Sequence, residues 1–457
     1  MKYSTEQSEI TERTERIKQF ALLVDKYNRN DIDKEKIISE LAKIEKTDWT
    51  KENLFNQLLG YSVLGDAYSA LKRRNLDYAK AYYTNEYVYK EISYYHNVLY
   101  LITRVRKEEW AALYVTAFAT SCRAYLFLAN AYDHLGRFCE AQQYYRMALQ
   151  DAHNTKEVEI NQGFVYANMH TFWTKEEPFI IRKAQMMMRK YPQAYYMLPH
   201  FNSMLTWTVP SFDAPSIDFT TIPDGEYEKW VCQNYLRVNR FNDVEPYSCL
   251  SLSDNVELPI IADTPENKAL YESIFEEIRD IFINTRRMLY GIIREDENSM
   301  NVEMLKMAYK NFYSIFDKIA MFLSTYLGIK LKPYEIDMAK IWNCKNGDIR
   351  PKIMAHSHNM PLLGLYNIKL DVYGMKTAWF VVDEQTKDLK MLRNYMEHKS
   401  IIVKDEPMSH TEYQLAISKH ELELNTIRLA QLVRCAIIYL CNFVMQAEYD
   451  KQHPNEY

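Results

Sequence analysis

Only 10 of the 457 residues are glycine, and that scarcity constrains the fold more than any other feature. Tight hairpin turns and phosphate-cradling loops need left-handed backbone that glycine alone adopts at little cost. A chain this poor in glycine is ill equipped for a hairpin-rich sheet or a nucleotide loop, and the balance tips to helices. The motifs agree: the sequence holds no Walker-type loop, no GxSxG, no HExxH and no CxxC pair.

Where helices form, the apolar spacing shows how they pack. Thr264 is a candidate N-cap with Pro265 at the first helical position. Leu270, Ile274, Ile278, Ile281 and Leu289 then fall on one stripe. Asn301 is placed to cap a second helix, whose stripe Leu305, Ala308, Phe312, Ile315, Ile319 and Leu323 ends at Gly328. Ser409 with Glu412 reads as a capping box opening a third long helix that reaches about Met445. Three long amphipathic helices with shorter ones between them predict an up-and-down bundle over residues 265–457. TAWFVVDE (377–384) and SIIVKDE (400–406) have β character, so a small strand pair is expected beside the bundle. Residues 201–264 carry Pro210, Pro215, Pro223, Pro246 and Pro259 and read as a connector packed on a neighbour.

The first 200 residues have another rhythm. In LFLANAYDHLGRFCEAQQYYRMAL, Ala129, Tyr132, Gly136, Ala141, Tyr145 and Ala148 occupy tetratricopeptide (TPR) positions, small where helices touch and aromatic where hairpins stack. Gly163 with Tyr166, and Gly65 with Tyr68, repeat the first pair more weakly. Residues 1–200 thus resemble a degenerate TPR array, which implies a scaffold or a site for a trigger or inhibitor protein. If it bound a peptide, Tyr132, Tyr145 and Tyr166 would be expected to line the groove.

Charge and cysteine content narrow the setting. The 56 basic and 61 acidic side chains leave a net charge of −5, too little positive charge to coat nucleic acid, so a polyanion would have to be gripped locally. Seven cysteines without paired spacing read as reduced thiols of a cytoplasmic protein. The polar start MKYSTEQSEITERTER does not read as a signal peptide. The most apolar run, Cys435 to Met445, is too short to span a bilayer and reads as a buried helix, so no membrane is expected.

One constellation has the residue types for chemistry. Three pairs place an Arg before a His with four to six residues between: Arg146 with His153, Arg350 with His356, and Arg393 with His398. The first closes a helix of the array and the second spans Pro351. Only the third, in RNYMEH, lies on a short helix inside the predicted bundle, with Asn394 beside the Arg. His titrates near neutrality and can move a proton; Arg stays charged and grips phosphate through two donors. Asn394, four residues before His398, shares its face. Arg393 and His398 are about 140° apart on an ideal helix, which argues against a site on one helix face. Glu397 is an ordinary ion-pair partner for Arg393. His356 and His358 are spaced for a metal but have no acidic or cysteine partner nearby in sequence, so neither metal nor cofactor is expected.

The stretch NMPLLGLYNIKLDVY (359–373), followed by LRNYMEH, resembles the leptospiral-type branch of the HEPN superfamily. So does the connector, where VCQNYLRVNRFND (231–243) precedes LSLSDNVELP (250–259). The resemblance covers residues 225–457, and it implies a helical bundle that follows a TPR-like region. It further implies a metal-independent endoribonuclease with Arg393, Asn394 and His398 as catalytic residues and RNA as substrate. Two protomers would complete one site and leave a 2′,3′-cyclic phosphate, in the role of a toxin or antiphage effector. The competing expectation is a non-catalytic HEPN/TPR protein that dimerises or binds a partner.

Overall fold

The computed structural model describes residues 2–73, 86–104, 122–151, 156–169, 177–195, 203–209, 215–294, 299–373, 386–404, 406 and 408–453. These group into two compact units, one of residues 2–134 and 141–162, the other of residues 135–140 and 163–453. The connector expected at 201–264 falls, where described, within the second unit. The chain is mainly helical, as the glycine count predicts.

In the first unit, α1 (Lys2–Asn28), α2 (Lys34–Glu45), α3 (Leu54–Arg73) and α4 (Glu86–Arg104) are followed by α5 (122–134), most of α6 (Phe138–Asp151) and part of α7 (Lys156–Met169). Ile17, Phe20 and Val24 of α1 meet Ile37 and Leu41 of α2 and Leu64, Ala67 and Leu71 of α3 in one apolar core. Gly65 is required where α3 passes α4, because a Cβ there would lie 2.6 Å from the Tyr95 ring. Ala129, Tyr132, Ala141, Tyr145 and Ala148 are all buried. Tyr132 stacks on Tyr144 with centroids 5.1 Å apart, and the Tyr145 hydroxyl donates to Asn130 at 2.6 Å. Tyr132, Tyr145 and Tyr166 are core residues at 0%, 1% and 5% exposure, so the expectation that they line an open groove is corrected.

The second unit is built on α10 (Pro265–Arg294), α11 (Ser299–Tyr326), α12 (Met360–Tyr373), α13 (Lys387–His398) and α14 (Lys419–Gln452), with α8 (Glu177–Lys190) and α9 (Gly225–Gln233) ahead of them. The α11 stripe is buried from Leu305 to Leu323, and Gly328 follows at a φ of +61°. On α10, Leu270 departs from its stripe and is exposed; Tyr271 takes the inward position against Phe322. Asn301 lies inside α11 and is buried, because the helix already includes Ser299. Among the described residues, α14 alone is long and apolar enough to cross a membrane, yet 83% of its most apolar window is buried within the protein.

The third long helix begins later than expected. Ser409 belongs to a strand, β2 (Ser409–His410), and the capping box is Ser418 with Glu421: Ser418 Oγ accepts from the Glu421 amide at 3.1 Å, and Glu421 Oε2 accepts from the Ser418 amide at 3.2 Å. Two S-x-x-E patterns compete here. The later one prevails because β3 (Gln414–Ile417) pairs in parallel with β1 (Ser400–Val403), Ser400 facing Gln414 and Val403 facing Ile417, while β2 adds antiparallel. SIIV is therefore a strand as expected, but its partner is QLAI; TAWFVVDE lies outside the described residues.

Polar anchoring joins the connector to the bundle. Arg286 of α10 forks onto Asp254, Nη1 to Oδ1 at 2.8 Å and Nη2 to Oδ2 at 2.7 Å, and Nη1 also donates to the Leu236 carbonyl. Arg434 of α14, fully buried, donates to the Arg237 carbonyl at 2.7 Å, to Asp243 at 2.7 Å and to the Asn239 carbonyl. Residues 135–140 are tied in the same way. Arg137 lies between Glu140 and Asp371, the Cys139 amide donates to the Tyr439 hydroxyl at 3.0 Å, and that hydroxyl donates to Glu140 at 3.1 Å. Gly136, with φ at +71°, admits the Met360 carbonyl where a Cβ would stand 1.9 Å from it.

Replacing Arg434 by Met strands the Asp243 carboxylate and two carbonyls in the core, at a cost of about 3–5 kcal/mol. A shift of that size in the urea midpoint at unchanged m-value checks it. Asp254 gives a pH test. Burial pushes its carboxyl up, but the Arg286 fork and Arg237 outweigh burial and hold it below the ordinary 3.8. A depressed folded pKa stabilises above the unfolded value of about 3.9 and is lost as pH falls through the folded one. Asp254→Asn is therefore expected to cost stability at neutral pH and to flatten acid unfolding below about pH 4, read by denaturant titration across pH.

Candidate active site

The orientation of α13 follows from its sequence. Leu389, Leu392 and Tyr395, at three-residue spacing, point into the core, and Met396 is half-buried at its margin. The Tyr309 hydroxyl of α11 donates to the Leu389 carbonyl at 2.6 Å, the Tyr395 hydroxyl bonds the Thr411 carbonyl, and Lys306 donates to the Ile401 carbonyl at 3.2 Å. Helix and strand are thus pinned to α11, and the opposite face of α13 is turned to solvent.

That face carries Arg393, Asn394 and His398, which line one groove of about 390 Å3 with Tyr373, Lys390, Met391 and Glu397. The 140° separation expected of Arg393 and His398 does not keep them apart, because a long Arg side chain can bend across its own helix surface. Both reach Glu397: Arg393 Nε lies 3.2 Å, and His398 Nε2 3.7 Å, from the same oxygen, Oε2. His398 is 67% exposed and Arg393 31%. The Arg393 guanidinium carbon is 4.5 Å from the Tyr313 ring centroid and 5.6 Å from that of Tyr373. Burial alone would lower the Arg393 pKa; Tyr313, Tyr373 and Glu397 outweigh it and hold the group above its ordinary value. Burial likewise pushes up the Tyr313 and Tyr373 phenols and the Asp317 carboxyl behind them. One neutral phenol, Tyr373, and a fixed cation therefore border the groove at neutral pH, with the Tyr313 phenol buried behind them.

Of the alternative pairs, Arg350 and His356 form no such site. Arg350 donates to the Ile341 carbonyl at 2.9 Å and holds the turn before Pro351–Met354. His356 packs edge-on against Phe443, with its pKa lowered chiefly by burial and then by His358. His358 lies 2.8 Å from Asp450. His153 lies outside the described residues. No group of metal-ligating side chains occurs among the described residues. A larger open depression of about 510 Å3 between α10 and α11 is lined by Glu276, Glu277 and Asp280, whose charge repels a phosphate.

Four groove residues, Lys390, Met391, Glu397 and Tyr373, have no site role in the sequence reading. Lys390 was legible, because Lys390, Asn394 and His398 follow one another at four-residue steps along one helix face. Glu397 reads in the sequence only as an ordinary ion-pair partner of Arg393. Tyr373 ends NMPLLGLYNIKLDVY, but nothing local marks it as a neighbour of Arg393.

Neither Arg393 nor His398 holds the fold together. A half-exposed i,i+4 ion pair and a cation–π contact are each worth about 0.3–1 kcal/mol. Arg393→Ala is expected to cost about 1 kcal/mol, and His398→Ala less than about 0.5 kcal/mol. Thermal denaturation of both variants beside the wild type checks this, and near-native transitions qualify them for functional comparison.

Residues 267–448, from α10 to α14, match the model of the LA2681-like HEPN family. No curated protein and no solved structure matches the chain significantly. The helical bundle that carries Arg393, Asn394 and His398 is therefore an LA2681-like HEPN domain, of the leptospiral-type branch that the sequence resembles.

Proposed function

We propose that the protein is a metal-independent endoribonuclease of the HEPN Arg-x4-His type, acting in the cytoplasm as a toxin or antiphage effector. The observation that carries this reading is the groove on α13, where Arg393, Asn394, Lys390 and His398 line one surface. Arg393 supplies a permanent charge for the phosphate and for the phosphorane that develops from it. His398, 67% exposed, exchanges a proton with the 2′-hydroxyl or the leaving 5′-oxygen. Asn394 orients the imidazole or the phosphate. In-line attack of the 2′-oxygen breaks the P–O5′ bond, and the products are a 2′,3′-cyclic phosphate and a free 5′-hydroxyl.

A single groove holds one His as its imidazole proton-transfer group. A second copy of α13 across a two-fold axis would supply another, and this favours a homodimer with a composite site. The TPR-like half then serves to sense a trigger or hold an inhibitor protein. The non-catalytic alternative has its own support: Glu397 engages Arg393 as an ordinary surface ion pair does.

Purified protein is expected to cut single-stranded RNA in the presence of EDTA and to leave cyclic phosphate ends. Arg393→Ala and His398→Ala should each slow cleavage by about 100-fold or more. Induction should arrest growth with the wild type only. Equal inertness on RNA and equal harmlessness in cells for all three proteins would replace this reading with the non-catalytic one.

A further inference from the structure

We propose that Tyr373 and Tyr313 are positioning residues that set the Arg393 guanidinium for a phosphodiester, an inference that rests on the ribonuclease reading above. Three elements converge on that guanidinium: Tyr313 from α11, Tyr373 from the end of α12 and Glu397 from α13 itself. The two rings meet edge to face, with centroids 5.3 Å apart and planes 62° apart, so they form a corner rather than a flat stack. The cation lies in that corner.

The corner is closely packed. Tyr313 is 3% exposed and Tyr373 8%, and Tyr313 also packs against Phe316 at 5.9 Å and Tyr309 at 6.4 Å. Behind them Asp317 faces the Tyr373 hydroxyl at 3.5 Å and accepts from the Met338 amide at 3.3 Å. A ring under the guanidinium uses its face and takes none of its N–H groups. Glu397 lies at Nε, and among the described residues nothing hydrogen-bonds the two Nη atoms. Among the described residues the edge suited to two parallel bonds with a phosphate is therefore left open while the side chain is held. A free Arg on an exposed helix would have to be ordered anew each time substrate bound. Here the packing of α11 and α12 orders it beforehand, which favours the chemical step over binding.

If the rings only fill space, removing one lowers stability and leaves chemistry alone. If they position Arg393, Tyr373→Leu lowers kcat by about 10- to 100-fold, while KM for an RNA oligonucleotide moves less than about 3-fold. Tyr373→Phe, which keeps the ring, recovers the loss. Tyr373→Met, whose flexible chain fills an irregular gap more readily, replaces the Leu variant should that one fail to fold. A second readout needs no cleavage: labelling of Arg393 by phenylglyoxal, followed by peptide mass spectrometry, with and without inorganic phosphate. Phosphate is expected to protect Arg393 in the wild type and in Tyr373→Phe, and to lose that effect in Tyr373→Leu or Tyr373→Met. Unchanged kcat and protection in a folded ring-less variant overturns the inference, as does a Phe variant no better than Leu. Ring-dependent protection in a protein that cuts no RNA would retain the positioning role and remove the ribonuclease reading alone.

Discussion

Buried arginine is the interaction on which the second unit depends. Arg286 and Arg434 project from α10 and α14 into a connector that has little regular structure of its own. A segment without helix or sheet leaves carbonyls unpaired, and a bundle helix carrying a buried cation needs acceptors. Each deficit answers the other. The Arg237 and Asn239 carbonyls, with Asp243, take all three nitrogens of Arg434, and Asp254 takes the fork of Arg286. A hydrophobic contact would bury the same area without fixing the path of the chain, whereas a planar guanidinium fixes distance and angle together.

The same side chain is put to another use at the groove. Arg434 is surrounded by acceptors and has no edge left for a ligand. Arg393 rests on two aromatic faces with one carboxylate at Nε, an environment that holds a guanidinium without using up its donors. The contrast separates an arginine that supports the fold from one suited to bind an anion. Net charge says nothing here: the chain is acidic overall, and the acidic depression between α10 and α11 lies in the unit that carries the groove. What matters to a phosphate is the local arrangement, because charges beyond about 8–10 Å are screened.

Several features could be read along the chain because they obey local rules. The α11 stripe, its stop at Gly328 and the inward Leu389 and Leu392 follow from the 3.6-residue period. The end of β3 and the start of α14 did not, because Ser409–Glu412 and Ser418–Glu421 satisfy the same capping rule. Only strand pairing between residues 400–403 and 414–417 separates them, and pairing is a non-local event. Leu270 misled for a related reason: a stripe on a helix gives a direction, while the neighbour decides which residue at its edge is covered. Tyr132, Tyr145 and Tyr166 are buried, and spacing along the chain cannot say whether an aromatic ring faces a groove or a core.

RNYMEH shows the division clearly. By itself the sequence determined the helix, its buried face, the family resemblance and the pairing of Arg393 with Glu397, all of which lie within a few residues or in a recognisable stretch. It places Arg393 and His398 on different sides of an ideal helix. Tertiary structure has both line one groove and brings Tyr313 and Tyr373 from two other helices to one flank of α13. Helix periodicity fixes where a Cβ points, but the far end of a four-carbon-long side chain goes where packing and charge draw it, and those partners were 80 and 20 residues away.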